Sequence, residues 1–190
     1  MIFIDLFYAK LASKRNAFDP LEKEINLKFD QFIPATQNIT EQWHLEKEYP
    51  ISKDLVAITR VWKSPTNTHF VIGSKGSPES IIEMCRLSQK DKKEIMEVVY
   101  SLAKQGQRVL GVAKSEFQKS DLPQSPLEYK FKFLGLIGFV DDIRPTVPQS
   151  VHECSKAGIR VIMITGDYPG TAQFIAQKAG IKNIENYLTG

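Results

Sequence analysis

The sequence has few cysteines, little net charge and no long apolar run. Cys85 and Cys154 have no partner spacing that indicates a zinc site or a disulfide framework, so both are interpreted as reduced, buried thiols. The 25 basic and 22 acidic residues leave a net charge of +3, too small to indicate a nucleic-acid groove or a membrane-binding surface. The apolar run from Phe133 to Val140 is far shorter than the roughly 18 to 20 residues that cross a bilayer. We therefore expect neither nucleic acid nor membrane as a direct partner of this chain.

Histidine is also scarce, and its three positions are scattered. His44, His69 and His152 have no carboxylate at ligand spacing, so we expect neither a metal site nor a catalytic triad from them. Residues 1–12 have the apolar spacing of an amphipathic helix and lack the small-residue cleavage site of a signal peptide. The 190 residues, 42% of them hydrophobic, suffice for one domain or for one domain and part of another.

The first half of the sequence mixes helices and strands without a regular alternation. The Asp19-Pro20 pair predicts the start of a second helix, because an acceptor there precedes a proline in the first turn. Three strands with short connections are then predicted, which indicates an antiparallel sheet: His44 to Tyr49, Leu55 to Lys63 and His69 to Ser74. The last two strands are joined around Ser64 to Asn67.

Two further helices and a strand complete this first part. They are predicted at Ser77 to Arg86, Asp91 to Lys104 and Arg108 to Ala113. The polar, proline-bearing stretch from Ser120 to Glu128 is the best candidate for a boundary. We therefore predict two domains, residues 1–128 and residues 129–190.

The pattern after residue 128 changes to β-α-β-α. Its elements are predicted at Phe133 to Val140, Pro145 to Lys156, Ile159 to Ile164 and Gly170 to Ala179. Gly158 and Gly180 lie where left-handed helix C-caps are expected. The second strand is apolar almost throughout, which is typical of a parallel strand covered on both faces.

Acidic loops follow both strands of this second part. In open parallel sheets ligands gather beyond the carboxyl ends of strands, so the segment Asp141 to Arg144 and the segment Thr165-Gly166-Asp167 are expected to face one crevice. A hydroxyl, a glycine amide and a carboxylate before a helix can hold a phosphate and its metal ion. The alternative is that Asp141 and Asp167 only cap helices.

A second candidate site lies in the first part, at Lys75-Gly76. A lysine at a strand end, followed by a glycine that permits close approach, can contact the phosphates or the base of a nucleotide. Arg108, beside a helix ended by a glycine, can likewise bind phosphate. The alternatives are a plain turn with a solvated lysine and an arginine that only covers the surface.

Taken together, these pieces resemble the P-type ATPases, in particular the calcium-pump-like cation transporters of the bacterial type. Six stretches match in order: Phe18 to Lys23, Glu48 to Ser52, Lys75 to Glu79, Arg108 to Leu110, Asp141 to Arg144 and Met163 to Asp167. The resemblance implies an α/β fold class. It consists of an α+β nucleotide-binding domain with an antiparallel sheet, followed by a βαβα segment of a haloacid-dehalogenase-like Rossmannoid phosphorylation domain.

The resemblance also implies roles for individual residues. Glu22 and Lys75 line the adenine pocket, Gly76 lets the base come close, and Arg108 reaches the phosphates of ATP. In the phosphorylation domain, Thr165, Gly166 and Asp167 carry catalytic roles, with Asp141 and Arg144 at the hinge side of the cleft.

Two substitutions depart from the family pattern in the adenine pocket. The stacking phenylalanine of the family falls on Ile51, and a pocket lysine falls on Val56. The loss of aromatic stacking costs on the order of 1 kcal/mol, so we expect weak ATP affinity, with Tyr49 as a partial substitute.

Two motifs of the family are absent from this sequence. It contains neither the Asp-Lys-Thr-Gly that accepts the phosphoryl group nor the Gly-Asp-Gly-x-Asn-Asp that holds Mg²⁺. The resemblance therefore implies a soluble piece, inactive alone, on the cytoplasmic side of an integral membrane pump, with the remainder of that pump as its partner. The transported ion, for which calcium is our expectation, depends on residues outside this chain.

Two alternatives remain at this point. One is a stand-alone haloacid-dehalogenase-type phosphatase whose first half is a cap domain, although no convincing Asp-x-Asp or Asp-x-Thr loop is present. The other is a non-catalytic interaction module, which the aliphatic residues Ile51 and Val56 favour.

Overall fold

The computed structural model describes residues 2–32, 42–64, 69–118, 121–140 and 142–188. Its helices are α1 (Ile2–Leu11), α2 (Pro20–Phe32), α3 (Pro78–Met84), α4 (Gln89–Lys104), α5 (Val147–Lys156) and α6 (Pro169–Ala179). Its strands are β1 (His44–Tyr49), β2 (Ala57–Lys63), β3 (Phe70–Gly76), β4 (Gln107–Phe117) and β5 (Lys132–Val140). The mixed composition of helices and strands predicted from the sequence is confirmed.

The five strands form one sheet in the order β1-β2-β3-β4-β5. Strand β2 pairs antiparallel with β1 and β3, and β3 pairs antiparallel with β4. The three predicted strands of the first half are thus confirmed as a meander. Most of the predicted turn from Ser64 to Asn67 lies outside the described residues.

The last strand of the sheet corrects the predicted β-α-β-α arrangement. The strand predicted from Phe133 to Val140 exists as β5, but its neighbour is β4, in the same sheet as the first half. The helices predicted after it are present as α5 and α6, and α5 begins at Val147 rather than at Pro145.

The prediction of a second parallel strand, from Ile159 to Ile164, is wrong. These residues have no strand conformation, and Ile159, Ile162 and Ile164 are 58%, 64% and 94% exposed. A strand needs a neighbour that pairs with its N–H and C=O groups, and among the described residues no strand lies beside this segment. The apolar run therefore has no regular secondary structure and joins no sheet.

The chain divides into two compact units. One contains Met1–Lys92 and Leu110–Ile137, and the other contains Lys93–Val109 and Gly138–Gly190. The domain division predicted near residue 128 stays a prediction.

The core of the first unit lies between the sheet and its helices. Helix α1 lies against β3 so closely that a Cβ atom on Gly73 would be 2.7 Å from the carbonyl oxygen of Tyr8. The indole Nε1 of Trp62 donates a hydrogen bond of 2.8 Å to the Leu11 carbonyl. The core cluster consists of Tyr49, Ala57, Val61, Ile72, Ile81, Met84, Ala113, Tyr129 and Phe131. These contacts hold α1 and the end of β3 together, where Lys75 lies.

Glycines with positive φ follow the ends of helices in the second unit. Gly158 and Gly180 have φ of +75° and +79°, which confirms the predicted left-handed ends of α5 and α6. Gly106, with φ of +78°, ends α4, and a Cβ atom there would be 2.1 Å from the Phe174 ring. The Thr171 hydroxyl at the start of α6 donates to the carbonyl of Gln107, 3.0 Å away.

Candidate functional site

The first group of predicted site residues centres on a buried lysine. Lys75 lies in β3 between Ile58 of β2 and Val112 of β4, and its exposed fraction is only 5%. Its Nζ donates to the Ser13 hydroxyl at 2.6 Å and to Glu22 Oε1 at 2.8 Å. The structure therefore joins Lys75 and Glu22, which the sequence separates by 53 positions.

Local capping chemistry positions Glu22. The Asp19 carboxylate accepts hydrogen bonds from the backbone N–H groups of Leu21 and Glu22, at 2.9 and 3.1 Å. It thereby satisfies N–H groups that the first turn of α2 leaves without a partner. The second oxygen of Glu22 accepts a longer bond, 3.3 Å, from the backbone N–H of Lys14. The cap and this bond fix the Glu22 carboxylate over the end of β3.

The charge of Lys75 depends on these neighbours. Burial lowers the pKa of Lys75, the hydrogen bond and the charge of Glu22 raise it, Arg60 lowers it, and Asp19 raises it. Arg60 forms an ion pair of 2.7 Å with Glu48, so its own charge is balanced. A buried ammonium group without the Glu22 carboxylate would be costly, because desolvation disfavours the charged form.

Gly76 follows Lys75 at a crowded point of the sheet. A Cβ atom on Gly76 would lie 2.3 Å from the carbonyl oxygen of Val56 and 2.5 Å from the Cα of Ala57. The same Val56 carbonyl accepts a bond of 2.8 Å from the Ser77 N–H, and the Ser77 hydroxyl caps α3. The missing side chain of Gly76 thus makes room for the chain leading into β2.

The residues predicted to contact the base differ in exposure. Ile51 is 61% exposed and Val56 is 47% exposed, so both can contact a ligand. Tyr49 is buried: its hydroxyl donates to the carbonyl of Pro123 at 2.5 Å and lies 2.9 Å from the hydroxyl of Tyr129. Since its ring packs in the core, the structure argues against Tyr49 as a stacking surface.

The second group of predicted site residues lies in the second unit. Arg108 Nε is 3.7 Å from Asp167 Oδ1, and the Arg108 side chain is 59% exposed. The Asp167 N–H donates to the Thr165 hydroxyl at 3.0 Å, and no atom lies within 4 Å of the position of a Cβ on Gly166. The structure therefore brings Arg108, Thr165 and Asp167 together around a glycine with open space.

Helix capping does not account for Asp167. The N-cap of α6 is Tyr168, and no side-chain hydrogen bond caps that helix. Arg144 is exposed, and its carbonyl accepts the N–H of Val147 before α5. Asp141 lies outside the described residues, so its predicted role stays a prediction.

In the described ranges, no group of three or more His, Cys, Asp and Glu side chains is placed to hold a metal ion. Within the same part of the chain, no helix is both long and apolar enough to cross a bilayer.

Sequence reasoning missed the hydroxyl that completes the lysine site. Ser13 is 1% exposed, binds Lys75 from 62 positions away, and donates its own proton to the carbonyl of Ala9 at 2.8 Å. A serine just after a helix is a common feature, so no local signal separates Ser13 from other serines. Only the packing of α1 on β3 identifies it.

Comparisons with known proteins agree on one family. A family profile described as "P-type ATPase, cytoplasmic domain N" matches residues 17–146. The potassium-transporting ATPase alpha chain 2 of Rattus norvegicus is 31% identical over an alignment 196 residues long. The alignment covers 91% of this chain and 19% of that protein. The sodium/potassium exporting P-type ATPase cta3 of Schizosaccharomyces pombe is 29% identical over 173 residues, covering 86% of this chain and 17% of the relative.

A third relative is more similar over a shorter stretch. The cation-transporting ATPase pma1 of Synechocystis sp. is 40% identical over 117 residues, covering 56% of this chain and 13% of that protein. The chain thus spans about a fifth or less of the length of these curated relatives.

Proposed function

Since this chain belongs to the P-type ATPase family and contains the nucleotide-binding N domain of a cation-transporting member, we propose that ATP binds beside its Lys75–Glu22 pair. The observation that carries the proposal is the buried ion pair of 2.8 Å at the end of β3. Of the three N–H groups of the Lys75 ammonium, Ser13 and Glu22 accept two. Within the described residues no acceptor is seen for the third, which is proposed to donate to a ring nitrogen of the adenine base, while Glu22 orients the ammonium group.

The apolar wall of this pocket is aliphatic. We assign Ile51 and Val56 to it because both are exposed in the unit that contains Lys75. An aliphatic side chain covers a base less favourably than an aromatic ring, by on the order of 1 kcal/mol. We therefore expect ATP to bind this chain weakly.

The second group of residues is proposed, by itself, to bind a phosphate group. The exposed guanidinium of Arg108 has Asp167 as an anionic neighbour, and a phosphate can replace that carboxylate. Thr165, Gly166 and Asp167, with Asp141 and Arg144, are proposed to belong to the phosphorylation domain. On this proposal the part of residues 129–190 that follows β5 belongs to a haloacid-dehalogenase-like fold that other segments of the pump complete.

In the whole pump, ATP bound here is proposed to phosphorylate an aspartate outside this chain and so to drive cation transport across a membrane. A calcium pump of the bacterial type fits the similarity to the calcium-transporting ATPase 1 of Bacillus cereus, 35% identical over 118 residues. Mg²⁺ is proposed as the ion that accompanies the triphosphate. The remainder of the pump is the proposed partner.

The binding proposal is tested by titrating the chain with ATP and following backbone amide chemical shifts by NMR. We expect shifts centred on Lys75 and Glu22, and we expect Lys75→Ala to weaken binding at least about tenfold, since a charge-assisted hydrogen bond contributes roughly 1.5–3 kcal/mol. Lys93→Ala is the matched control, because Lys93 is an exposed lysine of α4. No shift near Lys75 at millimolar ATP, or equal affinity in both variants, would contradict the proposal.

A further inference from the structure

A phenylalanine four residues before Glu22 is almost fully in water. Phe18 is 93% exposed, the largest exposed fraction among the aromatic residues that the structure describes. Isolated exposed apolar side chains are common and by themselves indicate nothing. The position of Phe18 in the fold is what makes it informative.

Phe18 directly precedes the residue that caps α2. That residue, Asp19, accepts the N–H of Glu22 at 3.1 Å and lies close enough to raise the pKa of Lys75. Lys23, in the first turn of the same helix, has its Nζ 5.5 Å from the centroid of the Phe18 ring. The exposed ring thus lies at the same end of α2 as the buried ion pair, with a cation beside it.

The proposed adenine pocket lacks an aromatic surface at its other positions. Ile51 is aliphatic, and the ring of Tyr49 is buried in the core with Tyr129. A purine base binds proteins by stacking on a flat π surface as well as by hydrogen bonds at its edge. The Lys75–Glu22 pair offers the hydrogen bonds, and Phe18, at the same end of α2, offers an exposed π surface.

We propose that Phe18 stacks on the adenine base of ATP and so replaces the aromatic contact that Ile51 does not make. The inference rests on the proposed function, because it concerns the same nucleotide. Stacking on a base is independent of the phosphates, so Phe18 affects the affinity for ATP but not for inorganic tripolyphosphate. The substitution of Phe18 also carries little risk of unfolding, because its ring contributes almost no buried area.

The test compares ligand affinities of four forms of the chain by isothermal titration calorimetry. Phe18→Ala is expected to weaken ATP binding at least about fivefold, Phe18→Trp is expected to keep it, and tripolyphosphate binding is expected to be the same in all forms. Phe32→Ala is the matched control, since Phe32 lies at the other end of α2 and is 62% exposed.

The outcomes separate this inference from the function on which it rests. If the unaltered chain binds ATP with shifts at Lys75 but Phe18→Ala binds it equally well, the stacking role is wrong and the binding proposal stands. If Phe18→Ala weakens ATP and tripolyphosphate equally, Phe18 does not contact the base. If the unaltered chain binds no ATP, both proposals are wrong.

Discussion

At the scale of single residues, the surroundings of Lys75 set its protonation state. Burial favours the neutral amine, whereas the Glu22 carboxylate at 2.8 Å favours the ammonium form. Because burial has the larger effect, the pKa of Lys75 is below its ordinary value even with Glu22 in place. A ligand that contacts this ammonium group therefore binds a cation with little competing solvent.

We predict that Glu22→Gln lowers the pKa of Lys75 further, because it removes the carboxylate charge and keeps a hydrogen-bond acceptor. A lysine with a lowered pKa in the folded state binds fewer protons there than in the unfolded chain. The free energy of unfolding therefore rises with pH between the lowered value and the ordinary value of about 10.4. The pH range over which the free energy of unfolding rises should be wider in Glu22→Gln than in the unaltered chain.

An NMR titration of the Lys75 side chain, together with urea unfolding at several alkaline pH values, measures both effects. Glu24→Gln is the matched control, because Glu24 lies on α2 and forms only a long, exposed ion pair of 4.0 Å with Lys28. An unchanged pKa of Lys75 in Glu22→Gln would contradict the electrostatic account of the pair.

At the scale of secondary-structure elements, glycine sets how closely β2 and β3 approach. The backbone of Val56 and Ala57 fills the space where a side chain on Gly76 would lie. The sequence motif predicts a glycine that lets a ligand come close. In the fold, the missing side chain of this glycine leaves room for the backbone that leads into β2. That contact places the start of α3 and the end of β3, and hence Lys75.

We predict that Gly76→Ala destabilises the chain by about 1–3 kcal/mol, because its Cβ would meet backbone atoms that cannot rotate away. Gly166→Ala is the control, since no atom lies within 4 Å of its Cβ position. The free energies of unfolding from urea denaturation give the comparison. Equal stability of the two variants would show that the β2–β3 contact is not tight.

At the scale of the whole molecule, the two groups of site residues belong to different compact units. Glu22, Lys75 and Ile51 are in the first unit, whereas Arg108 and Asp167 are in the second. The first group contains a buried ammonium group hydrogen-bonded to Ser13 and Glu22, and the second contains an exposed guanidinium group beside a carboxylate. Neither group belongs to an Asp-Lys-Thr-Gly motif, which the proposed chemistry needs to accept the phosphoryl group.

We predict that the chain alone does not hydrolyse ATP, because its sequence lacks the Asp-Lys-Thr-Gly motif that accepts the phosphoryl group. Incubation with radiolabelled ATP and Mg²⁺ should release no phosphate above background and should label no acid-stable phosphoprotein. Phosphate release that is lost in Asp167→Asn would instead indicate catalysis by residues of this chain.

The sequence by itself determined the features that depend on neighbouring residues. The strands β1 to β3, the helices and the left-handed ends at Gly158 and Gly180 follow from apolar periodicity and from capping chemistry. The ordered motifs also identify the family, because a motif keeps its residues and spacing whatever its surroundings.

Only the tertiary structure decided which distant groups meet. It joined Ser13 to Lys75, buried Tyr49 against Tyr129, and placed β5 beside β4. The same rule explains why the apolar segment from Ile159 to Ile164 is not a strand: its composition suits a buried sheet, but a strand forms only where another strand completes its hydrogen bonds. Burial and pairing are properties of the folded chain, and no local pattern contains them.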